Sequence, residues 1–161
     1  MINTEQLNAF IEQVIKLHSR HEYAETIRPD TYEPGMMEYP EKSDGLYDPE
    51  TGCFTLFFES RGTRYDGRTE QIEKVQSGDV IIIRRDSENQ YNSNNFRLFT
   101  SNDKDVGNMP AELCNAIAPL FDSGMLQFDE SFVSFADPIS KRPRHAKQAV
   151  LFVKLCGHLV L

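Results

Sequence analysis

No stretch of this sequence approaches the ~20 consecutive apolar residues that a membrane helix requires, so no membrane span is expected. The opening MINTEQLNAF sets acid and amide side chains ahead of its apolar positions, the wrong order for a secretory signal. Cysteine is scarce. Cys53, Cys114 and Cys156 are odd in number, far apart and set in apolar surroundings. They suit buried thiols in a reducing compartment rather than disulfides or a zinc site, and a cytoplasmic setting is expected. Histidine gives no metal centre: His18 and His21 lie three apart, His145 and His158 are distant, and no Cys or Asp completes a ligand set. GTRYDG lacks the spacing and lysine of a phosphate cradle. A Cys114–His145 nucleophilic pair is conceivable, but Cys114 sits beside Leu113 in an apolar helix, where an inert thiol is expected. The acid pairs Asp103/Asp105 and Asp129/Glu130 read as solvated turn formers. No catalytic residue, cofactor or metal is expected, and the chain does not read as an enzyme.

An excess of positive charge is also missing, since the net charge is −8. The deficit is local. Residues 1–50 carry 4 Lys/Arg against 11 Asp/Glu, a balance of −7, while residues 51–161 carry 13 against 14. A near-neutral domain still supports a basic groove, because phosphate binding depends on where charges lie. Arginines do cluster: Arg61, Arg64 and Arg68, then Arg84, Arg85 and Arg97, then KRPRHAK at 141–147.

What the chain does contain is a change of period. Leu7, Phe10, Ile11, Val14 and Ile15 recur at three-to-four spacing behind an Asn3/Gln6 capping pair, predicting an amphipathic helix within 1–22. Its apolar stripe must bury against the following domain or a partner. Residues 23–52 hold Pro29, Pro34, Pro40 and Pro49 with several glycines, which excludes helix or central strand and leaves an acidic arm. From Cys53 onward CFTLFFES, GDVIIIRR, NFRLFT, MLQFDESFVSFAD and QAVLFVKLCGHLVL have strand composition, the last apolar enough to be buried on both faces. VGNMPAELCNAIAPLFDSG predicts a helix opened by Pro110, stopped by glycine and kinked or shortened by Pro119. The pattern is strand-rich α+β with a small β-barrel, one internal helix, and an N-terminal helix and arm. The third unit spans 53–161.

Two stretches stand apart. SRGTRYDGR, residues 60–68, alternates arginine with glycine around Tyr65, and ENQYNSNNF, residues 88–96, sets Tyr91 among Asn89, Asn92 and Asn94. A guanidinium binds phosphate bidentately and a ring stacks on a base. The plainer readings are a solvated connection with Tyr65 plugging the core, and an Asn-rich turn. Both stretches flank strands, which favours a binding surface built on loops.

The ordered set Gly62–Gly67, the Gly78-Asp79 turn, Arg84-Arg85-Asp86, the loop 89–95, Val106-Gly107, Pro110 and Glu112-Leu113 resembles the HIRAN domain family over about residues 53–158. The resemblance implies an OB-like β-barrel that, in fork-remodelling SNF-type ATPases, grips the 3′ end of single-stranded DNA, hence a role in DNA repair or fork processing. It implies that Arg64 and Tyr65 hold the terminal phosphate and base, that Tyr91 stacks on a terminal base, and that Asn89 and Asn92 bond the sugar or base edge. Here the family's loop aspartate is Asn92, its loop proline is Gln90, its aromatic or histidine after Val-Gly is Asn108, and a basic residue at the helix start is Ala111. Loss of the aspartate's charge weakens the hydrogen bond it would accept. The expected interface is therefore Arg64, Tyr65, Asn89, Tyr91, Asn92 and Asn108, approached past Arg84, Arg85 and residues 141–147. The partner is single-stranded DNA or its 3′ end, with no membrane. The rival reading is a protein-docking scaffold that uses residues 1–50, whose acidic arm is alternatively an autoinhibitor folded over the basic face.

Overall fold

Asn3 caps a helix: its Oδ1 accepts the amides of Glu5 and Gln6 at 2.9 and 3.3 Å. The structure, a computed structural model, describes residues 3–14, 47–137 and 149–160. Helix α1 occupies residues 4–14. Its stripe buries against the domain that follows, with Phe10 and Val14 inside the core and Leu7 and Ile11 packed at its edge. The Phe10 ring meets Phe54 and Tyr47 edge-on, at centroid distances of 5.0 and 6.3 Å. The rest of the expected first helix and the arm through residue 46 lie outside the described residues.

Strand composition gives strands throughout. β1 (Cys53–Glu59), β5 (Leu126–Asp137) and β6 (Val150–Leu159) form one antiparallel sheet in the order β1–β6–β5. β2 (Ile81–Asp86), β3 (Asn95–Thr100) and β4 (Asp105–Asn108) form a second, in the order β2–β3–β4. Single bridges, Val80 to Phe132 and Arg61 to Asn108, join the sheets at their two seams. A ladder fails there because the chain turns away at Gly62 and β2 begins only after the Gly78-Asp79 turn. The described residues thus form two sheets rather than the closed barrel expected from the pattern and from the resemblance. β5 is one strand interrupted by register shifts at 128–130 and 133–135, so Asp129 and Glu130 lie within it and not in a turn. Asp129 pairs with His158 across the sheet.

Helix α2 (Arg68–Ile72), absent from the sequence reading, is a single turn after SRGTRYDG. Helix α3 (Ala111–Asp122) starts beyond Pro110, which occupies the capping position. Pro119 does not shorten it. The proline lacks an N–H, yet its own carbonyl still accepts the Ser123 amide at 3.3 Å, and helix persists to Asp122. Phe54, Leu56 and Phe58 of β1, Phe96 and Leu98 of β3, Leu113, Ile117 and Leu120 of α3, and Val153 and Leu155 of β6 share one core.

Of the three thiols expected to be buried, only Cys114 is. Cys53 opens β1 in solvent and Cys156 is half-buried. Burial pushes the Cys114 thiol up to about 11, against the pull of backbone hydrogen bonding and the Arg85 charge, which keeps it protonated and unreactive. Among the described residues no helix is long and apolar enough to cross a membrane. Among them, too, no group of three or more His, Cys, Asp or Glu side chains is placed to hold a metal ion.

Candidate nucleic-acid interface

The strand registers set the floor of the site. Arg84 lies opposite Arg97, and Arg97 opposite Asn108, so all three share the outward face of β2–β3–β4. Phe96 and Leu98 alternate to the inside and are fully buried. Two connections rise beside this face, residues 60–67 after β1 and residues 87–94 between β2 and β3.

The asparagines of the second connection build the loop. Asn89 Oδ1 accepts the amides of Tyr91 and Asn92, both at 3.0 Å, while its Nδ2 donates to Asp86 at 3.0 Å. Asn92 Oδ1 accepts the Asn94 amide at 3.0 Å, and the Nδ2 groups of Asn92 and Asn94 both donate to Asn115 Oδ1 on α3. Asn95, buried, donates through Nδ2 to Asp86 and to Asn108 Oδ1. A loop so tied by its own amides holds Tyr91 outward, 88% exposed.

In the first connection Gly62, Asp66 and Gly67 all take positive φ. Thr63 is pinned through its hydroxyl to the Ala149 carbonyl at 2.7 Å. The turn raises Tyr65 to 57% exposure, so it does not plug the core, and sets the Arg64 guanidinium 5.3 Å from its ring centroid. Arg68 goes the other way. Only 6% exposed, it forks onto Asp105 at 3.0 and 3.2 Å and donates to the Gly62 carbonyl at 3.1 Å. Arg97 reaches the same carboxylate at 2.5 Å, and the Gly107 amide donates to it at 3.0 Å. Burial acts to raise the Asp105 carboxyl, but the bonds from Arg68, Gly107 and Arg97 together hold it below the usual carboxylate range. Asp105 is therefore no solvated turn former but the anion between two arginines. Gly107 lets β4 lie close against residues 60–61: at φ +125° a Cβ would sit 2.0 Å from Ser60 Oγ and 2.8 Å from the Arg61 carbonyl.

These pieces enclose a groove of about 790 Å³ lined by Gly62, Tyr65, Arg68, Asn89, Tyr91, Arg97 and Asn108, among others. A second hollow of about 360 Å³ adjoins it, sharing Asn89, Tyr91 and Asn108 and adding Arg61, Asn92, Met109, Ala111 and Glu112. Tyr91, the most exposed of the shared residues, lines both. Of the six residues expected at an interface, Tyr65, Asn89, Tyr91 and Asn108 meet in the larger groove and Asn92 joins in the smaller. Arg64 lines neither and reaches the site through Tyr65. Arg68 and Arg97 do not read as a pair in the sequence, because Arg97 reaches Asp105 through the β3–β4 register and Arg68 through the packing of α2 on β4.

Arg85 does not line an approach. It turns inward on its strand, forks onto Asp122 of α3 at 2.9 and 3.0 Å, and donates to the Ser93 and Asn95 carbonyls. Arg84 stays on the outer face, paired with Asp103. Residues 141–147 lie outside the described residues.

Several solved structures are similar to this chain. The crystal structure of the HIRAN domain of human HLTF is 24% identical, covering 65% of this chain and 76% of its own, with a TM-score of 0.46. The NMR structure of the HLTF HIRAN domain in its DNA-bound conformation is 21% identical over 68% and 80%, with a TM-score of 0.47. A crystal structure of a Lactobacillus plantarum protein is 20% identical over 66% and 100%, with a TM-score of 0.49. No curated protein matches the chain. The model of the HIRAN domain matches residues 53–150, which include both connections and the whole of β2–β3–β4. With more than half of its length matched, this chain belongs to the HIRAN domain family.

Proposed function

We propose that this chain binds single-stranded DNA, at or near a 3′ end, along the outward face of β2–β3–β4. The observation that carries the reading is the pair of exposed rings, Tyr65 and Tyr91, set at a groove with Arg97 on its floor and Arg64 beside the Tyr65 ring. Rings beside guanidinium groups suit bases joined by phosphates, and the π-face of a ring accepts any base. Membership in the family supports the ligand class, since the HLTF HIRAN domain is described in a DNA-bound conformation.

In this reading Arg64 and Tyr65 hold the terminal phosphate and base, Tyr91 stacks on a terminal base, and Asn108 Nδ2, beside Gly62, meets a base or sugar edge. Asn89 and Asn92 spend most of their hydrogen-bonding capacity on the loop, so they act first by holding Tyr91. The scaffold reading draws on residues 1–50, but α1 already commits Phe10 and Val14 to the core. That removes the apolar stripe from its account.

Fluorescence anisotropy of the full chain with short oligonucleotides tests the proposal, comparing 3′-hydroxyl, 3′-phosphate and double-stranded ends at ~50 and ~200 mM salt. A stacked base contributes ~1–3 kcal/mol, so Tyr91→Ala is expected to weaken binding by about 5-fold or more. Equal affinity of variant and parent would remove Tyr91 from the interface. No binding at the lower salt would remove the function.

A further inference from the structure

The face that floors the groove does not stop at Arg97. One step across the sheet stands Arg84, and two residues along β3 stands Phe99 on the same side. The Phe99 ring is held between the two guanidinium groups, with its centroid 4.6 Å from Arg84 Cζ and 5.6 Å from Arg97 Cζ. Like charges directly opposite in a ladder destabilise a sheet, so this pairing needs compensation. Phe99 supplies part of it and the carboxylates supply the rest, Asp105 to Arg97 and Asp103 to Arg84. The two carboxylates differ. Asp105 is fixed by three donors, whereas Asp103 is 68% exposed beside an Arg84 that is 48% exposed. An ion pair that open to water is weakly held and readily exchanged.

We infer that Arg84, Phe99 and Arg97 form a second subsite that takes the phosphodiester backbone of the strand where it leaves the groove, with Asp103 yielding Arg84 to a phosphate. This rests on the groove reading and extends it from the terminal nucleotides to the strand behind them. A phosphate presents to a guanidinium the same two-oxygen edge as a carboxylate, so the exchange preserves the geometry.

The test compares 3′-hydroxyl oligonucleotides of three and ten nucleotides on the full chain by anisotropy across a salt series. Arg84→Ala is expected to weaken the ten-nucleotide strand by about 3- to 10-fold and to lower its log–log salt slope by about 0.7, one phosphate contact. The three-nucleotide strand should bind the variant as it binds the parent. Asp103→Asn, which suits the positive φ of 64° at that turn, should strengthen the longer strand alone. Both lengths binding as in the parent in both variants would overturn the subsite and leave the groove reading intact. Binding of neither length to the parent would overturn both. Thermal melting of the two variants confirms that exposed substitutions have left the fold alone.

Discussion

Asp105 is the residue on which the floor of the groove depends. It is the shared acceptor for Arg68, Arg97 and the Gly107 amide, and Arg68 is almost wholly buried. Asp105→Asn keeps the shape but leaves the buried Arg68 guanidinium with only the exposed Asp66 carboxylate, 3.9 Å away, and is expected to cost about 3 kcal/mol in urea unfolding at pH 7. The pH dependence has a definite sign. A carboxyl held lower in the folded chain than in the unfolded one contributes stability above the unfolded value of about 3.9, and loses it as pH falls through the folded value. The gap between parent and variant should therefore stay constant from about pH 5 to 8 and close below about pH 4. A gap that widens in acid would mean that the carboxylate is not what holds the arginines.

At the scale of elements, the loop 87–94 behaves as a mount for one ring. Because Asn89 accepts the Tyr91 and Asn92 amides, Asn89→Ala frees two N–H groups and lets Tyr91 swing, at a stability cost of about 1 kcal/mol. DNA binding should fall as it does in Tyr91→Ala, and the double variant should be no weaker than Tyr91→Ala alone. Additive losses would instead mean that Asn89 touches the ligand itself. This contrast also marks what the sequence makes legible. Alternation and apolar runs announce the strands, Pro110 announces α3, and the lone tyrosines among amides and arginines announce the loops. The partner of a side chain across strands is set by register, which no local window contains. Hence Asp105 reads as a turn former although it lies between two arginines, and Arg85 reads as surface although α3 claims it through Asp122. That the barrel does not close is hidden for the same reason, since the sheets meet only through two single bridges between residues far apart in sequence.

At the scale of the whole molecule, the packed core is larger than the span shared with the family. That span ends at residue 150, where β6 only begins, yet β6 is the central strand of its sheet and pairs with both β1 and β5. At the other end, Phe10 lies some forty residues before the span and still packs at 5.0 Å from Phe54 in β1. A ring fully buried against another ring leaves a cavity when removed, because its surroundings collapse only in part. Phe10→Ala is therefore expected to destabilise the entire chain by about 3–5 kcal/mol in urea, with a single transition and an unchanged slope. Phe10 does not line the groove, so the affinity of the folded variant for a three-nucleotide strand should match that of the parent. A loss under about 1 kcal/mol, or a separate early transition, would make α1 an appendage to an independent domain. A full loss in one transition would mean that α1 and the domain it packs on unfold as one unit.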